Sequence, residues 1–551
     1  MSALASPVSS IEDARLRASR QLALGQQHYA AGGIAQAIAA YQCGLDAAVA
    51  GTDISADTVA ELHAKLGNAY MVGGHLEPAC EHYKSALRLK PSLTACWCNL
   101  GNAQLESGKP DAAIALYLEA LKHNPAHWPS RTNLVQALMA ARQYLMAKAL
   151  LMELAEERPQ DGQLFHQLGK ACFELGEAKE ALDHLGEAVG LDPRDADSLY
   201  WIGAIRQRCG DADAARAAYA QAAQIQPLIR RRAVKSPADF RVLALYAPFA
   251  GNTPAEYLFK DAPYDTDTLA LIAGTEADVS ALGDVGLVVN LISDADQAAA
   301  VLPLAARLVE KLGKPVVNDP GKIQRTTRDA VARLLPGIPE CRIPRIVRLE
   351  ETADVLVAAL AARIAFSFPV LARPAGTHGG DDFEKVESVG ELSSLLASRP
   401  DGDRYVIEYV DYASADGHFR KYRFIFVGED ILPYHLAIGD DWKVHHASTD
   451  MANQRWMQQE EAAFLAEPGA VFTTSHYQAL RMIRQRIGLD YFGIDCGLDE
   501  SGNLVVFEVN ASMLVHEDNA EFPYKDPFVR AIKRAFDAML QQRAGSPAAS
   551  P

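Results

Sequence analysis

Small and apolar residues recur along the first 230 or so residues at one fixed step. Proline stands at Pro91, Pro125, Pro159, Pro193 and Pro227, each 34 positions after the last. The same register carries Ala79, Ala113, Ala147, Ala181 and Ala215, and also Tyr83, Tyr117, Leu151, Leu185 and Tyr219. Leu66-Gly67, Leu100-Gly101, Leu168-Gly169 and Ile202-Gly203 complete the pattern, with Leu134-Val135 as a variant. An earlier copy (Leu24-Gly25, Ala37, Tyr41) fits with an insertion near Gly51–Thr58. This period predicts about six two-helix units: small residues let the paired helices approach, and each proline stops a helix it cannot continue. Stacked units present a concave face that binds partners. Asn68, Asn99, Asn102 and Asn133 fall on first helices, where a row of amides can hydrogen-bond an extended peptide; the bland reading is that Leu-Gly-Asn is simply frequent in the repeat. Trp97, Trp128 and Trp201 are expected to pack between helices.

After Pro227 the periodicity changes. Arg230-Arg231-Arg232 reads as a solvated helix end or linker. The short apolar runs 241–246, 269–272, 286–291 and 315–318 alternate with helical stretches such as Ala298–Leu312, which predicts a parallel sheet covered on both faces. Near the C-terminus Asp495 precedes Phe507-Glu508-Val509-Asn510 across a turn-rich segment. Strand alternation puts Glu508 and Asn510 on one face, and Asp495 joins them if Gly493–Cys496 pairs with 504–509 as a hairpin. Two carboxylates and an amide oxygen suit hard Mg²⁺, and hence phosphate chemistry.

Composition narrows this. The formal charge of −17 argues against a broad nucleic-acid or anionic-membrane surface. Eight cysteines without CxxC spacing read as reduced thiols, and the start lacks the build of a signal peptide. The expectation is a soluble cytoplasmic protein with no nucleic-acid or membrane partner.

The repeats resemble the tetratricopeptide repeat. The segment from Asn318-Asp319-Pro320 to Pro344-Arg345-Ile346 resembles the entry into an ATP-grasp domain, and the resemblance to that superfamily, nearest its carboxylate–amine ligases, covers roughly residues 240–540. The matching segments are Phe368–Pro374 with Gly376-Thr377-His378-Gly379-Gly380, the hinge-like Tyr405–Val410, Phe419–Gly428, Gly439–Lys443 and the Asp495…Glu508-Val509-Asn510 set. The implied fold is an all-α solenoid (18–232), an α/β pre-ATP-grasp subdomain (240–345), an α+β ATP-grasp domain (346–540) and a disordered tail (541–551).

The resemblance implies ATP with Mg²⁺, or Mn²⁺, as cofactors, an acyl-phosphate intermediate, and an amide-forming ligase acting on small-molecule or peptide carboxylates and amines. A nucleotide-binding scaffold with little turnover is the alternative. Asp495, Glu508 and Asn510 would hold metal. Arg373, Gly376, Thr377, Gly379 and Gly380 would face the phosphates, and Glu408, Tyr409 and Val410 the adenosine. Arg423, and more weakly Lys443, would neutralise the transferring group. The family's usual lysine before proline is Arg373 here; an earlier phosphate-binding lysine has Lys322, Arg325 and Arg328 as candidates, of which Arg328 is assigned. His378, His435, His445 and His446 receive no catalytic role, and His516-Glu517 are either substrate contacts or a polar turn.

Overall fold

A computed structural model describes residues 7–50, 54–249, 251–274, 279–280, 282–350, 364, 366–377, 382–398, 402–444, 449–517 and 519–545. The chain divides into two compact units, Met1–Asp211 and Ala212–Pro551.

The first unit is all helical: α1 (Pro7–Ala30), α2 (Ile34–Ala50), α3 (Ala56–Val72), α4 (Leu76–Leu89), α5 (Thr94–Glu106), α6 (Pro110–His123), α7 (Trp128–Ala140), α8 (Tyr144–Glu157), α9 (Gly162–Glu174), α10 (Ala178–Leu191) and α11 (Ala196–Arg208). Even-numbered helices from α4 end two residues before the periodic prolines Pro91, Pro125, Pro159 and Pro193. The glycine column is dictated by the aromatic column. A Cβ on Gly67 or Gly101 would lie 2.5 Å from the ring of Tyr83 or Tyr117, and one on Gly169 would lie 2.5 Å from Leu185. No side chain fits there without driving the paired helices apart. The buried alanines and tyrosines form a succession of small cores, and Trp97, Trp128 and Trp201 pack half-buried against them as expected.

The second unit opens with α12 (Ala212–Ile225), whose Tyr219 ring stands edge-on to Phe249 at 5.7 Å. Its first sheet contains β1 (Leu228–Arg231), β2 (Arg241–Tyr246), β3 (Asp265–Ala270), β4 (Leu287–Asn290) and β5 (Val316–Val317), in the order β1-β3-β2-β4-β5. β2 to β5 are parallel; Val242 and Ala244 face one core while Leu243 and Leu245 face another, so both faces are covered. Helices α13 (Glu256–Phe259), α14 (Leu302–Leu312), α15 (Pro320–Ile323) and α16 (Arg328–Leu334) accompany it. Next come β6 (Cys341–Arg342), β7 (Ile346–Leu349), β8 (Val370–Pro374), β9 (Glu384–Val386), α17 (Val389–Ser398) and β10 (Arg404–Glu408); an antiparallel sheet runs β7-β10-β8-β9.

β11 (Phe419–Val427) and β12 (Asp430–Gly439) lead through α18 (Arg455–Ala466) and α19 (Thr474–Ile487) to β13 (Tyr491–Leu498), β14 (Leu504–Asn510) and α20 (Asp526–Gly545). The third sheet runs β12-β11-β13-β14-β6. Phe424 packs edge-on against Phe464 and Phe472 at 5.6 and 5.0 Å, fixing the helices to one face of this sheet. Each fully buried Phe contributes about 2–3 kcal/mol of transfer free energy.

Four expectations are corrected. Arg230-Arg231 belong to β1, antiparallel to β3; their charges lie on an exposed edge strand, a normal way to blunt an edge. β3 begins at Asp265, because Thr266 and Asp267 are buried members of the strand rather than its approach. The helix expected from Ala298 starts at Leu302, with Pro303 in its first turn. Residues 541–545, expected in a disordered tail, are helical, since α20 continues past its buried Met539 and Leu540. No described helix is long and apolar enough to cross a membrane, and the cysteines are free thiols.

Candidate functional site

The antiparallel sheet and the third sheet face each other across a cleft enclosing about 1080 Å³, part of it open solvent. Asp495 pairs directly with Glu508, and Gly493 with Asn510, so the hairpin required for one shared face is present. A register shift at Asp495/Cys496 leaves Phe507 as an extra residue in β14. Such bulges re-aim side chains, and Phe507 lines the cleft beside Glu508. Its ring lies 4.5 Å from that of Tyr412, and Gly497 makes the room: a Cβ there would come within 3.0 Å of both.

Charge fills the cleft floor. Arg423 donates to both oxygens of Asp495 at 2.6 and 2.9 Å, and Lys421 reaches the same carboxylate at 3.4 Å. Arg328 donates to Glu508 Oε1 at 2.6 Å, and the Asn510 amide nitrogen lies 3.4 Å from that oxygen. Asn510 Oδ1 accepts from the Ser512 backbone at 2.6 Å. Burial alone pushes the Asp495 carboxyl up; Arg423 and Lys421 overcome this and hold it well below the usual carboxylate range. Glu408 follows the same logic: burial raises it, and Arg345 with Arg342 brings it down.

Ten of the sequence-predicted residues line this one cleft: Arg328, Arg373, Glu408, Tyr409, Val410, Arg423, Lys443, Asp495, Glu508 and Asn510. Gly376 and Thr377 border a small adjoining pocket that shares Arg328, Glu508 and Asn510 with it. Gly379, Gly380, His378, His445 and His446 lie outside the described residues. Arg373 is buried, donates to Thr377 and stands 5.3 Å above the Phe383 ring, so it fastens the first turn of the glycine loop. Gly376 has φ +71°, the left-handed backbone that favours glycine, and its carbonyl accepts from Gln297 at 2.6 Å. Lys443 Nζ bonds the Phe383 carbonyl at 3.3 Å. Lys322 bonds the Gly488 carbonyl and is not among the residues lining the cleft. His516 and Glu517 instead border a groove with Tyr257 and Lys260.

Lys421, Phe383, Tyr412, Trp442 and Phe507 also line the cleft and were not predicted. Lys421 was within reach of sequence reasoning, being two residues before Arg423 on one strand and hence on its face. The aromatics were not, because their placement depends on the bulge and on the Trp442–Phe383 contact at 5.3 Å.

The ladder register places His435, Arg423, Asp495 and Glu508 in one row across four strands. At its outer end His435 Nδ1 meets Glu461 at 2.5 Å and Lys525 at 3.0 Å, while Tyr524 donates to Glu461 at 2.6 Å. Burial pulls His435 down to about 4, whereas Glu461, raised by burial, is brought to about 2 chiefly by His435 and Lys525.

In the repeats the asparagine row is a ladder. Tyr83 and Asn99 both donate to Asn68 Oδ1 at 2.9 Å; Tyr117 and Asn133 donate to Asn102 Oδ1 at 2.7 and 2.8 Å. Those two oxygens are therefore engaged inside the repeats. Cys172, Glu177 and Glu180 cluster as metal ligands would, but Lys148 bonds both carboxylates at 2.6 and 2.5 Å.

Tetratricopeptide repeat models match residues 104–171 and 196–227, and a TPR repeat model matches 67–108 and 169–210. No curated protein matches. Among solved structures the chain is similar to MamA of Desulfovibrio magneticus RS-1, at 20% identity over 30% of this chain and 94% of that one, TM-score 0.30. It is similar to pilF of Pseudomonas aeruginosa, at 18% identity over 39% and 94%, TM-score 0.32. YrrB, titled a TPR protein with an unusual peptide-binding site, is similar at 23% identity over 30% and 86%, TM-score 0.28. The N-terminal region of the chain carries tetratricopeptide repeats.

Proposed function

We propose that the second unit is an ATP-grasp ligase that joins a carboxylate to an amine with ATP and Mg²⁺, and that the repeats recruit a peptide, protein or partner enzyme. One observation carries the reading: Arg328, Arg373, Lys421, Arg423 and Lys443 converge with Asp495, Glu508 and Asn510 on one aromatic-walled cleft. Cations in excess of carboxylates suit a polyphosphate. Phosphoryl transfer needs this kind of charge neutralisation and in-line positioning more than covalent help.

Asp495, Glu508 and the Asn510 oxygen are hard donors on one sheet face and fit Mg²⁺ or Mn²⁺. Bound there, the ion would supply charge neutralisation to the β- and γ-phosphate oxygens. The substrate carboxylate attacks the γ-phosphorus, ADP leaves, and an amine then attacks the acyl carbon to release phosphate. Arg423 and Lys421 balance charge on the transferring group from β11. Arg328 does so from the start of α16, and Arg373 keeps the loop at Gly376-Thr377 over the phosphates. Tyr409 and Val410 offer backbone groups to the base; Glu408, held by Arg342 and Arg345, faces the ribose.

Glu508→Ala should cut amine-dependent ADP release at least about a hundredfold with the fold intact; unchanged release would remove the assigned site. A second reading, a nucleotide-binding scaffold without turnover, is favoured by the arginines already paired with Asp495, Glu508 and Glu408. Under it, ATP raises the unfolding temperature yet no acid and amine pair yields ADP.

A further inference from the structure

The α3–α4 pair holds a side-chain contact that the packing of the repeats does not call for. His63 on α3 and His82 on α4 bring their Nδ1 atoms to 2.9 Å. The His82 ring also stacks on Tyr70, 5.4 Å between centres and 5° from parallel, which fixes its plane. At steps of 34 the same two positions hold Trp97 and Leu116, Arg131 and Leu150, Phe165 and His184, and Leu199 and Ala218. Apolar and mixed pairs serve the packing there, so two facing imidazoles are particular to this repeat.

Two neutral imidazoles meeting at Nδ1 share one N–H, and the second nitrogen only accepts. Burial, with His82 and Arg88 adding to it, pulls His63 down to about 4, and burial also pulls His82 down against the field of Glu81. Both rings are therefore uncharged at neutral pH, the form that ligates a metal. The spacing suits a tetrahedral ion. Two imidazoles bound to zinc at roughly 2.0–2.1 Å have their ring centres roughly 5 Å apart. Those of His63 and His82 are 5.2 Å apart, their planes tilted by 34°. The ring centres can thus stay where they are while each ring pivots to turn its Nδ1 to one side, and the shared proton passes to Nε2 of the ring that donated it. Both side chains are half-buried, so water reaches the pair. Of the charges nearby, Glu81 favours a cation and Arg88 opposes one; Arg88 donates to Ser85 Oγ at 2.8 Å.

We propose that His63 and His82 form a binding site for Zn²⁺, with water in the remaining positions, and that the ion ties α3 to α4. The proposal is independent of the ligase reading and of peptide recruitment.

The test is isothermal titration of Zn²⁺ into the full, chelator-treated chain, with His63→Phe alongside. That variant copies the Phe165–His184 pair of a later repeat, so the helices keep a packing this chain already uses. One Zn²⁺ per chain should bind at least tenfold more weakly to His63→Phe; ions taken up at the Asp495 cleft are common to both proteins and cancel. Co²⁺ in place of Zn²⁺ should give the visible absorption of a four-coordinate ion, absent from the variant. Zn²⁺ should also slow amide exchange in α3 and α4 more than in α5 to α11. Equal Zn²⁺ binding by the two proteins overturns the site and leaves the rings as a hydrogen-bonded pair. A six-coordinate Co²⁺ spectrum, or undiminished Zn²⁺ binding in His82→Gln, overturns it as well.

Discussion

The two units handle polar groups in opposite ways. The repeats distribute them: Gly25, Gly67 and Gly101 lock against the tyrosine of their own helix pair and Gly169 against Leu185, and an Asn–Tyr contact or a salt bridge is settled within one repeat or with its neighbour. The α/β unit concentrates them, with Glu461, His435, Arg423, Asp495, Glu508 and Arg328 following one another along a single transverse row. Distributed contacts tolerate local damage, since stability is close to a sum over neighbours. A row of adjacent charges does not, because removing one member strands the next.

The sharpest way to break this contrast is Glu461→Ala. It leaves Lys525 buried without its carboxylate and should cost about 3–5 kcal/mol, read by chemical denaturation of the full chain. A loss below 1 kcal/mol would mean that the row is not coupled. Acid should come next. His435 is depressed from 6.5 to about 4, so its contribution is present above pH 6.5 and is lost as pH falls towards 4, by up to about 3 kcal/mol. Glu461, lowered from 4.5 to about 2, adds a loss of the same sign at lower pH. Hydrogen exchange followed on 419–439 should show this slope, and His435→Gln should flatten it.

In the repeats Gly101→Ala pushes a Cβ into Tyr117 and should cost about 1–3 kcal/mol, with lost exchange protection centred on α5 and α6. Protection lost equally across α1 to α11 would count against distributed stability. The smallest effect is expected from Asn102→Ala, which leaves the Tyr117 hydroxyl without its acceptor, at about 1–2 kcal/mol.

The repeats were legible because one fixed step writes their helix locks into the sequence; Gly67 and Tyr83 announce their contact by recurring together. The metal-like trio was legible from strand alternation, and one antiparallel hairpin sufficed to unite it. What escaped depended on facts that alternation does not carry. The register shift at Asp495/Cys496 brings Phe507 into the cleft, and β1 hid behind three consecutive arginines that mask any apolar alternation. The pairing of Arg423 with Asp495, and of Arg328 with Glu508, could not be read from spacing, because it joins β11 to β13 and α16 to β14.

β6 has a kinetic consequence. Cys341-Arg342 add a parallel edge to β14 at Leu504-Val505, so the third sheet cannot be completed until almost the whole chain has been synthesised. The repeats close through contacts between neighbouring helices, and low contact order favours fast folding. On the ribosome, with domains folding as they emerge, the repeats would be in place well before the cleft around Arg423 and Asp495, and a partner could engage them on the nascent chain while that cleft is still unformed.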